Sequence, residues 1–274
     1  MRKKGVTNLL IHLLLLFGSG AMLLPFYWML ATSLKTPLEA LQFPPTWIPS
    51  TCQFSNYIEV FHQIPLWRYF GNTVFITFLT LTGVLATGIP AAYAFARFRF
   101  PLRETLFMGF LALMMIPLPV YLVPSYIILY KLGWIDTYAA MIVPWIVNVF
   151  SIFLLRQHIK QLPQELFDAA KIDGASSLWT LVRIVVPLCK APIATIVVFN
   201  AIASWNSFFW PLIVTNSDRI RPLQVGLAYF SREQSTNYTL LMAATTMAII
   251  PLVILFFIAQ QQIIQSQARA GLKE

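Results

Sequence analysis

Charge is what this sequence has least of. Asp, Glu, Lys and Arg make up 11% of its 274 residues while 58% are hydrophobic; a soluble domain carries about 25% charged residues. A soluble fold must cover its surface with polar groups, and one core cannot absorb such an apolar excess, so a soluble globular protein is excluded. Two Cys exclude a disulfide-stapled scaffold, 11 Gly exclude a collagen-like repeat, and the apolar content excludes a disordered chain. Three His and no Cys/His cluster give a metal or haem site no support. There is no Gly-x4-Gly-Lys-Ser/Thr phosphate loop and no Gly-Lys dipeptide, so the chain is not expected to hydrolyse ATP by that mechanism. No internal repeat or low-complexity tract is present.

What is there is length of apolar run. A hydrocarbon core about 30 Å thick needs roughly 20 apolar residues in helical form. Six stretches qualify: 9–31, 73–96, 105–130, 137–155, 192–214 and 238–260. They do not alternate apolar with polar residues as barrel strands do. The expected fold is therefore all-α and integral to the membrane, with six transmembrane helices. The first stretch follows Arg2, Lys3 and Lys4 but has no small-x-small cleavage site after it, so it reads as a retained helix rather than a signal peptide. All 19 Lys and Arg fall outside the spans, 13 on the side of the termini and 6 on the other. The positive-inside rule then puts both termini in the cytoplasm, and the net +9 becomes topology and headgroup contact rather than a nucleic-acid footprint. Cys52 and Cys189 land on opposite sides, so no disulfide is expected between them.

The ten acidic residues also lie outside the spans, so no carboxylate is available mid-membrane to hold a proton or sodium ion. His12, near the cytoplasmic start of the first span, reads as a headgroup-level residue. Uncharged polar residues do occur: Asn148 and Ser151 in the fourth span, Asn200, Ser204, Asn206 and Ser207 in the fifth, Thr245 and Thr246 in the sixth. Singly, each is best explained by interhelical hydrogen bonding. Together, Asn148, Ser151, Asn200, Ser204, Trp205 and Asn206 are the candidate path for a neutral polar solute, with Trp205 and Trp210 offering stacking faces. Prolines interrupt every span and suit a bundle that bends or opens. Gly88, Ala92 and Ala96 form a small-residue stripe that admits a close helix neighbour.

The longest cytoplasmic loop, 156–191, is patterned rather than bland. Pro163 suits a first helical turn and Glu165 the positive end of a helix. Leu166, Phe167, Ala169, Ala170 and Ile172 follow, and Gly174 can end the helix in a left-handed conformation. Leu178, Leu181, Val182 and Val185 suggest a second short amphipathic helix ending before Pro187. Such a pair reads either as a docking knob, presenting the small residues Ala169, Ala170 and Gly174, or as an interfacial helix lying in the headgroups.

Asp168-Ala169-Ala170, then Gly174, then Val185-Val186-Pro187 resembles the Glu-Ala-Ala signature of the inner-membrane permease subunits of binding-protein-dependent ABC importers, with Asp168 where that family usually has Glu. Asn72-Thr73, the run from Pro90 to Arg97, Met114-Met115-Ile116-Pro117, Leu132-Gly133-Trp134-Ile135-Asp136-Thr137, Trp205-Asn206-Ser207-Phe208 and, imperfectly, Gly271-Leu272-Lys273 resemble the second permease of maltose-type carbohydrate systems. Ser207 replaces the acidic residue of that family's pattern.

The resemblance implies a type I ABC importer transmembrane fold in the bacterial cytoplasmic (inner) membrane. It implies residues 1–68 as tail, first helix and external loop, 69–262 as the transmembrane core, and 263–274 as a cytoplasmic tail. Glu165, Asp168, Ala169, Ala170, Gly174 and Pro187 would form the coupling helix segment that seats in the ATPase. The partners implied are a homologous second permease, two ATPase subunits and an extracytoplasmic solute-binding protein. ATP and Mg would sit on the ATPase, leaving no cofactor or metal in this chain. The cargo implied is a sugar or related polyol, with glycerol-phosphate or another osmolyte as the alternative. A passive solute facilitator remains the rival class.

Overall fold

The computed structural model describes residues 2–232 and 235–271. In chain order the helices are α1 (Arg2–Ser33), α2 (Pro37–Ala40), α3 (Ser55–Gln63), α4 (Leu66–Arg97), α5 (Arg103–Leu113), α6 (Leu118–Lys131), α7 (Tyr138–Ile142), α8 (Val149–Gln161), α9 (Gln164–Ile172), α10 (Ser177–Thr180), α11 (Val186–Leu188), α12 (Lys190–Trp205), α13 (Phe209–Val214), α14 (Leu223–Leu227) and α15 (Tyr238–Gly271). Among the described residues the only strands are Ser231–Arg232 and Ser235–Thr236, paired antiparallel. The chain divides into two compact units, one holding Met1–Trp67 and Val225–Ile250, the other Arg68–Gln224 and the chain from Pro251 on.

Four helices are long and apolar enough to cross a membrane unbroken: Leu10–Ser33, Leu66–Arg97, Tyr138–Gln161 and Tyr238–Gln260. Two further spans exist only as bent pairs, so six result when each pair counts as one. The expected span 105–130, which its prolines were expected to bend, is α5 and α6, turned 99° at a break around 114–117. Pro117 has no N–H to continue the ladder, disfavours the helical region at the residue before it, and itself adopts an extended backbone at φ −69°, ψ 146°. The stretch 192–214 is likewise not one helix. Sixteen-residue α12 ends at Trp205, and α13 resumes at Phe209. At its other end α12 turns 80° from the segment Ser177–Leu188. Elsewhere helices overrun their apolar windows, since backbone hydrogen bonding continues past the hydrocarbon edge. The expected tail 263–274 is helical through Gly271, its last residues lying outside the described chain.

The first unit holds an ordered segment between α1 and α4 that reads as mere loop in the sequence. Lys35, 1% exposed, donates through Nζ to the Thr46 carbonyl and lies 4.4 Å from the Trp28 ring centre. Glu39 accepts from the Ser50 N–H at 2.9 Å and from the hydroxyls of Ser50 and Thr46. That backbone donor, with the hydroxyls, holds the Glu39 carboxyl below its usual range. Asn56 Nδ2 donates to the carbonyls of Ser33 and Lys35, tying α3 back to the end of α1. Every large residue from Leu13 to Phe17 is more than half exposed on α1, a surface suited to lipid or to another subunit's helices.

In the second unit the core forms where α4 buries Val84, Ala92 and Phe95 against Ile152, Leu155 and Ile159 of α8 and Ile196 of α12. The small-residue stripe is used as expected at Gly88 and Ala92, both buried. The closest approach, however, is at Gly83, where an added Cβ would stand 2.4 Å from Ile146 Cγ2. Arg156, 3% exposed, fastens α8 to its neighbours. Its Nε donates to the Phe95 carbonyl, its Nη2 to both Glu104 oxygens, and its guanidinium carbon lies 3.7 Å from the Phe107 ring centre.

Candidate functional site

One face of α4 presents Thr73, Ile76 and Thr80, residues three and four apart that line up on a helix. Opposite stand the N-terminal end of α8 and the face of α12 bearing Asn200, Ala203 and Ser204. Together they wall a cavity of about 260 Å³, completed by side chains that include Leu118, Met141, Trp145, Ser207 and Trp210. Among the described residues none that lines it is charged.

Asn148 is placed by its role as the N-cap of α8: its Oδ1 accepts from the Ser151 N–H and hydroxyl, both at 2.8 Å. Asn200 donates to Ser151 Oγ at 3.1 Å and to the Ile196 carbonyl at 2.9 Å. Its Nδ2 is thus committed, and the acceptor Oδ1 is what it can offer a solute. Ser204 shares a 3.2 Å hydrogen bond with Thr77. Thr80 Oγ1 is buried with no hydrogen-bond partner among the described residues, the state a hydroxyl-bearing ligand would relieve.

Of the six candidate path residues, Asn148, Asn200 and Ser204 line this cavity. Ser151 is fully buried behind it, as the hydroxyl that bridges Asn148 to Asn200. Trp205 is buried instead against Phe70, edge to face at 5.6 Å. Asn206 is exposed and accepts from Gln224 at 3.2 Å. The reason is geometric: at 100° per residue, 204, 205 and 206 cannot share one helix face. Trp210 does line the cavity, but its indole N–H is spent on the Ala140 carbonyl at 2.9 Å, leaving only the ring. Thr80 and Trp145 carry no motif in the sequence, and Thr73 stands out there only in the Asn72-Thr73 resemblance, not as a path residue. The threonine spacing along α4 was the available signal, masked because threonines also bond their own helix carbonyls.

A shelf of loop closes over the same unit. Asn72 Nδ2 donates to the carbonyls of Arg219 and Arg221, while its Oδ1 accepts from the Tyr138 hydroxyl. Thr73 Oγ1 accepts from the Leu223 N–H at 2.8 Å. Asp136, at φ 59°, accepts from the N–H groups of Asn216 and Ser217 at 2.8 and 3.0 Å. Burial alone would raise the Asp136 carboxyl, but these donors outweigh it and hold it below its usual value. The polar motifs at 72–73 and 132–137 are thus loop anchors.

The loop 156–191 forms the expected paired short helices. Pro163 lies just ahead of α9 and Glu165 falls in its first turn. Gly174 has φ +73°; Ala175 N–H bonds the Ala170 carbonyl at 2.9 Å and Gly174 N–H the Lys171 carbonyl at 3.1 Å, a Schellman closure. Two expectations need correction. Ala170 is 5% exposed and packs α9 onto this chain, whereas Ala169, Glu165, Asp168 and Gly174 face outward with Ile172, which is 86% exposed. At 100° per residue Glu165, Asp168, Ala169 and Ile172 share one side of α9, while Ala170 falls about 150° round from the middle of that side and turns inward. The second helix does not stop before Pro187 either: a π turn over Leu181–Val185 widens the backbone, and helix continues to Leu188 with Pro187 exposed. Asp168 accepts from Gln164 Nε2 at 3.1 Å.

Long apolar helices, two of them bent or broken, around an uncharged polar cavity, with a two-helix segment carried on one loop, define a multi-span membrane transport subunit. The chain belongs to the binding-protein-dependent transport system inner membrane component family, whose signature matches residues 85–269. It is 35% identical over 226 residues to the arabinooligosaccharides transport system permease protein AraQ of Halalkalibacterium halodurans, covering 82% of this chain and 81% of that one. It is 31% identical to the sn-glycerol-3-phosphate transport system permease protein UgpE of Rhizobium meliloti, over 95% and 96% of the two chains. A solved structure of a bacterial ABC transporter involved in import of the acidic polysaccharide alginate contains a chain that superposes with a TM-score of 0.84 at 25% identity, covering 95% of this chain and 98% of that one. Members of the family are transport subunits, not enzymes, and a free-standing passive facilitator is set aside.

Proposed function

We propose that this chain is one permease half of an importer for a sugar or neutral polyol, seated in the bacterial cytoplasmic membrane with both termini inside. It pairs with a homologous second permease and two ATPase subunits, which carry the ATP and Mg, and receives solute from an extracytoplasmic binding protein. Glu165, Asp168, Ala169 and Gly174 meet the ATPase, and Ala170 and Pro187 shape the segment that bears them. The observation that carries the cargo assignment is the cavity: amide, hydroxyl and indole groups and no charged side chain. Hydroxyl-rich solutes are bound by such groups, with aromatic rings against the sugar's apolar faces.

Two relatives bracket the choice, an arabinooligosaccharide permease and a glycerol-3-phosphate permease. A phosphate calls for an Arg, Lys or comparable donor cluster, and none lines the cavity. This favours the neutral cargo. Purification of the assembled complex, followed by uptake into proteoliposomes supplied with internal ATP, tests the reading. Accumulation of a neutral oligosaccharide or polyol, unaffected by excess glycerol-3-phosphate, is expected. Competition by the phosphate, or gradient-driven uptake by this chain alone, would overturn it.

A further inference from the structure

Arg97 closes α4, and three elements meet at its guanidinium. Nη2 donates to the carbonyls of Ile159 and Leu162 at the end of α8, each at 2.6 Å. Nη1 donates to Oε1 of Gln164, the first residue of α9, at 2.8 Å. The guanidinium carbon lies 3.9 Å from the centre of the Phe167 ring, also on α9. Gln164 in turn donates to Asp168 on the exposed face. The other ends of α4 and α8 are cavity wall, through Thr73, Ile76 and Thr80 on one and the cap Asn148 on the other. At 1.5 Å per residue, Thr80 stands about 26 Å from Arg97 along α4, and Asn148 about 17 Å from Ile159 along α8.

A nine-residue helix such as α9 has little rigidity of its own, so its direction is set by what it is fastened to. We propose that Arg97 is the positioning residue that makes α4, α8 and α9 move as one body, delivering displacement of the docking face to the cavity wall. The inference rests on the importer reading above, in which the ATPase moves α9. Arginine suits the task because its planar fork reaches two carbonyls and an amide oxygen while its guanidinium carbon sits over a ring. A lysine ammonium keeps the charge and can cap helix carbonyls, but it cannot hold all these partners together. A residue serving only as helix cap and cytoplasmic charge would therefore tolerate lysine.

The test uses the whole importer, purified with its partners and reconstituted, measuring ATP hydrolysis against concentration of solute-loaded binding protein and solute accumulated per ATP. Arg97→Lys is expected to assemble normally and to keep the half-saturating concentration of binding protein. Its stimulated rate should fall about tenfold, with less solute moved per ATP. Phe167→Leu, which keeps apolar bulk but removes the ring, should lose about threefold, and the double variant should be no worse than Arg97→Lys because both break one joint. A stimulated rate for Arg97→Lys within about twofold of wild type, or losses that multiply in the double variant, would overturn the proposal. Should Arg97→Lys fail to assemble, Phe167→Leu and Gln164→Met carry the same decision: reduced stimulation at unchanged half-saturation supports it, and wild-type rates in both overturn it. A wild-type preparation lacking an ATPase, or one whose hydrolysis solute does not stimulate, instead defeats the importer reading itself.

Discussion

Replacing Gly83 by alanine isolates how tightly the cavity's scaffold is packed. A Cβ there would meet Ile146 Cγ2 at 2.4 Å and Ile146 Cβ at 2.8 Å, with the Ile146 Cα only 3.6 Å away. These atoms sit at the root of a β-branched side chain, which has few rotamers to retreat into. The same turn is already pinned, because Thr87 Oγ1 donates to the Ile146 carbonyl at 2.6 Å. Alanine in place of a helical glycine gains about 0.8–1 kcal/mol of helix propensity. Overpacking a tight contact costs about 1–3 kcal/mol. The difference is a net loss of up to about 2 kcal/mol, together with a shift of the turn carrying Trp145 and Asn148 into the cavity wall. Gly88 is the internal control. Its added Cβ would find Ser151 at 3.9 Å and Ile152 at 4.0 Å, ordinary contact, so Gly88→Ala should keep most of the propensity gain. The assay is thermal unfolding of both variants in the same detergent at matched expression, with uptake as a second readout. Equal stability of the two variants, or Gly88→Ala the weaker, would refute the packing argument.

Three further outcomes follow from the geometry. Gly174→Val should insert normally yet weaken co-purification of the ATPase, since positive φ costs a β-branched residue well over about 1 kcal/mol while no neighbouring atom lies within 4 Å to blame; full retention would show that the Schellman closure is not needed for docking. Asp136 gives a pH signature: its folded value lies below 3.8, so its stabilisation is complete above that unfolded value and is lost as pH falls through the lower folded one. Asp136→Asn should therefore be less stable than wild type at pH 7, with the gap narrowing in strong acid; a pH-independent gap in thermal stability would contradict this. Exposed Cys52 should label from outside sealed cells, whereas buried Cys189 should stay unreactive from either side. An engineered thiol at exposed Ser177 should label only from inside, and outside labelling there would overturn the topology.

Membership in a membrane class, the number of spans and the helix-stop at Gly174 were legible in the sequence because each depends on local chemistry. Hydropathy over about 20 residues reports transfer into hydrocarbon, and a glycine ahead of a second amphipathic run reports a left-handed turn. None of these needs a distant partner. Which polar residues face one another is a different kind of question. Asn148, Ser151 and Asn200 read alike in sequence, yet the fold makes one a helix cap that lines the cavity, one a buried bridge and one a second lining group. Trp205 and Trp210 look equivalent as stacking faces, and only the break at 206–208 turns one into the wall of the cavity and the other against Phe70. Ala169 and Ala170 look like one small docking face, and the rotation of α9, fastened by Arg97, hides the second. Local chemistry decides that a segment is helical and where it stops. The direction in which each side chain points depends on how helices rotate and break against neighbours far away in sequence, and that only the tertiary structure decided.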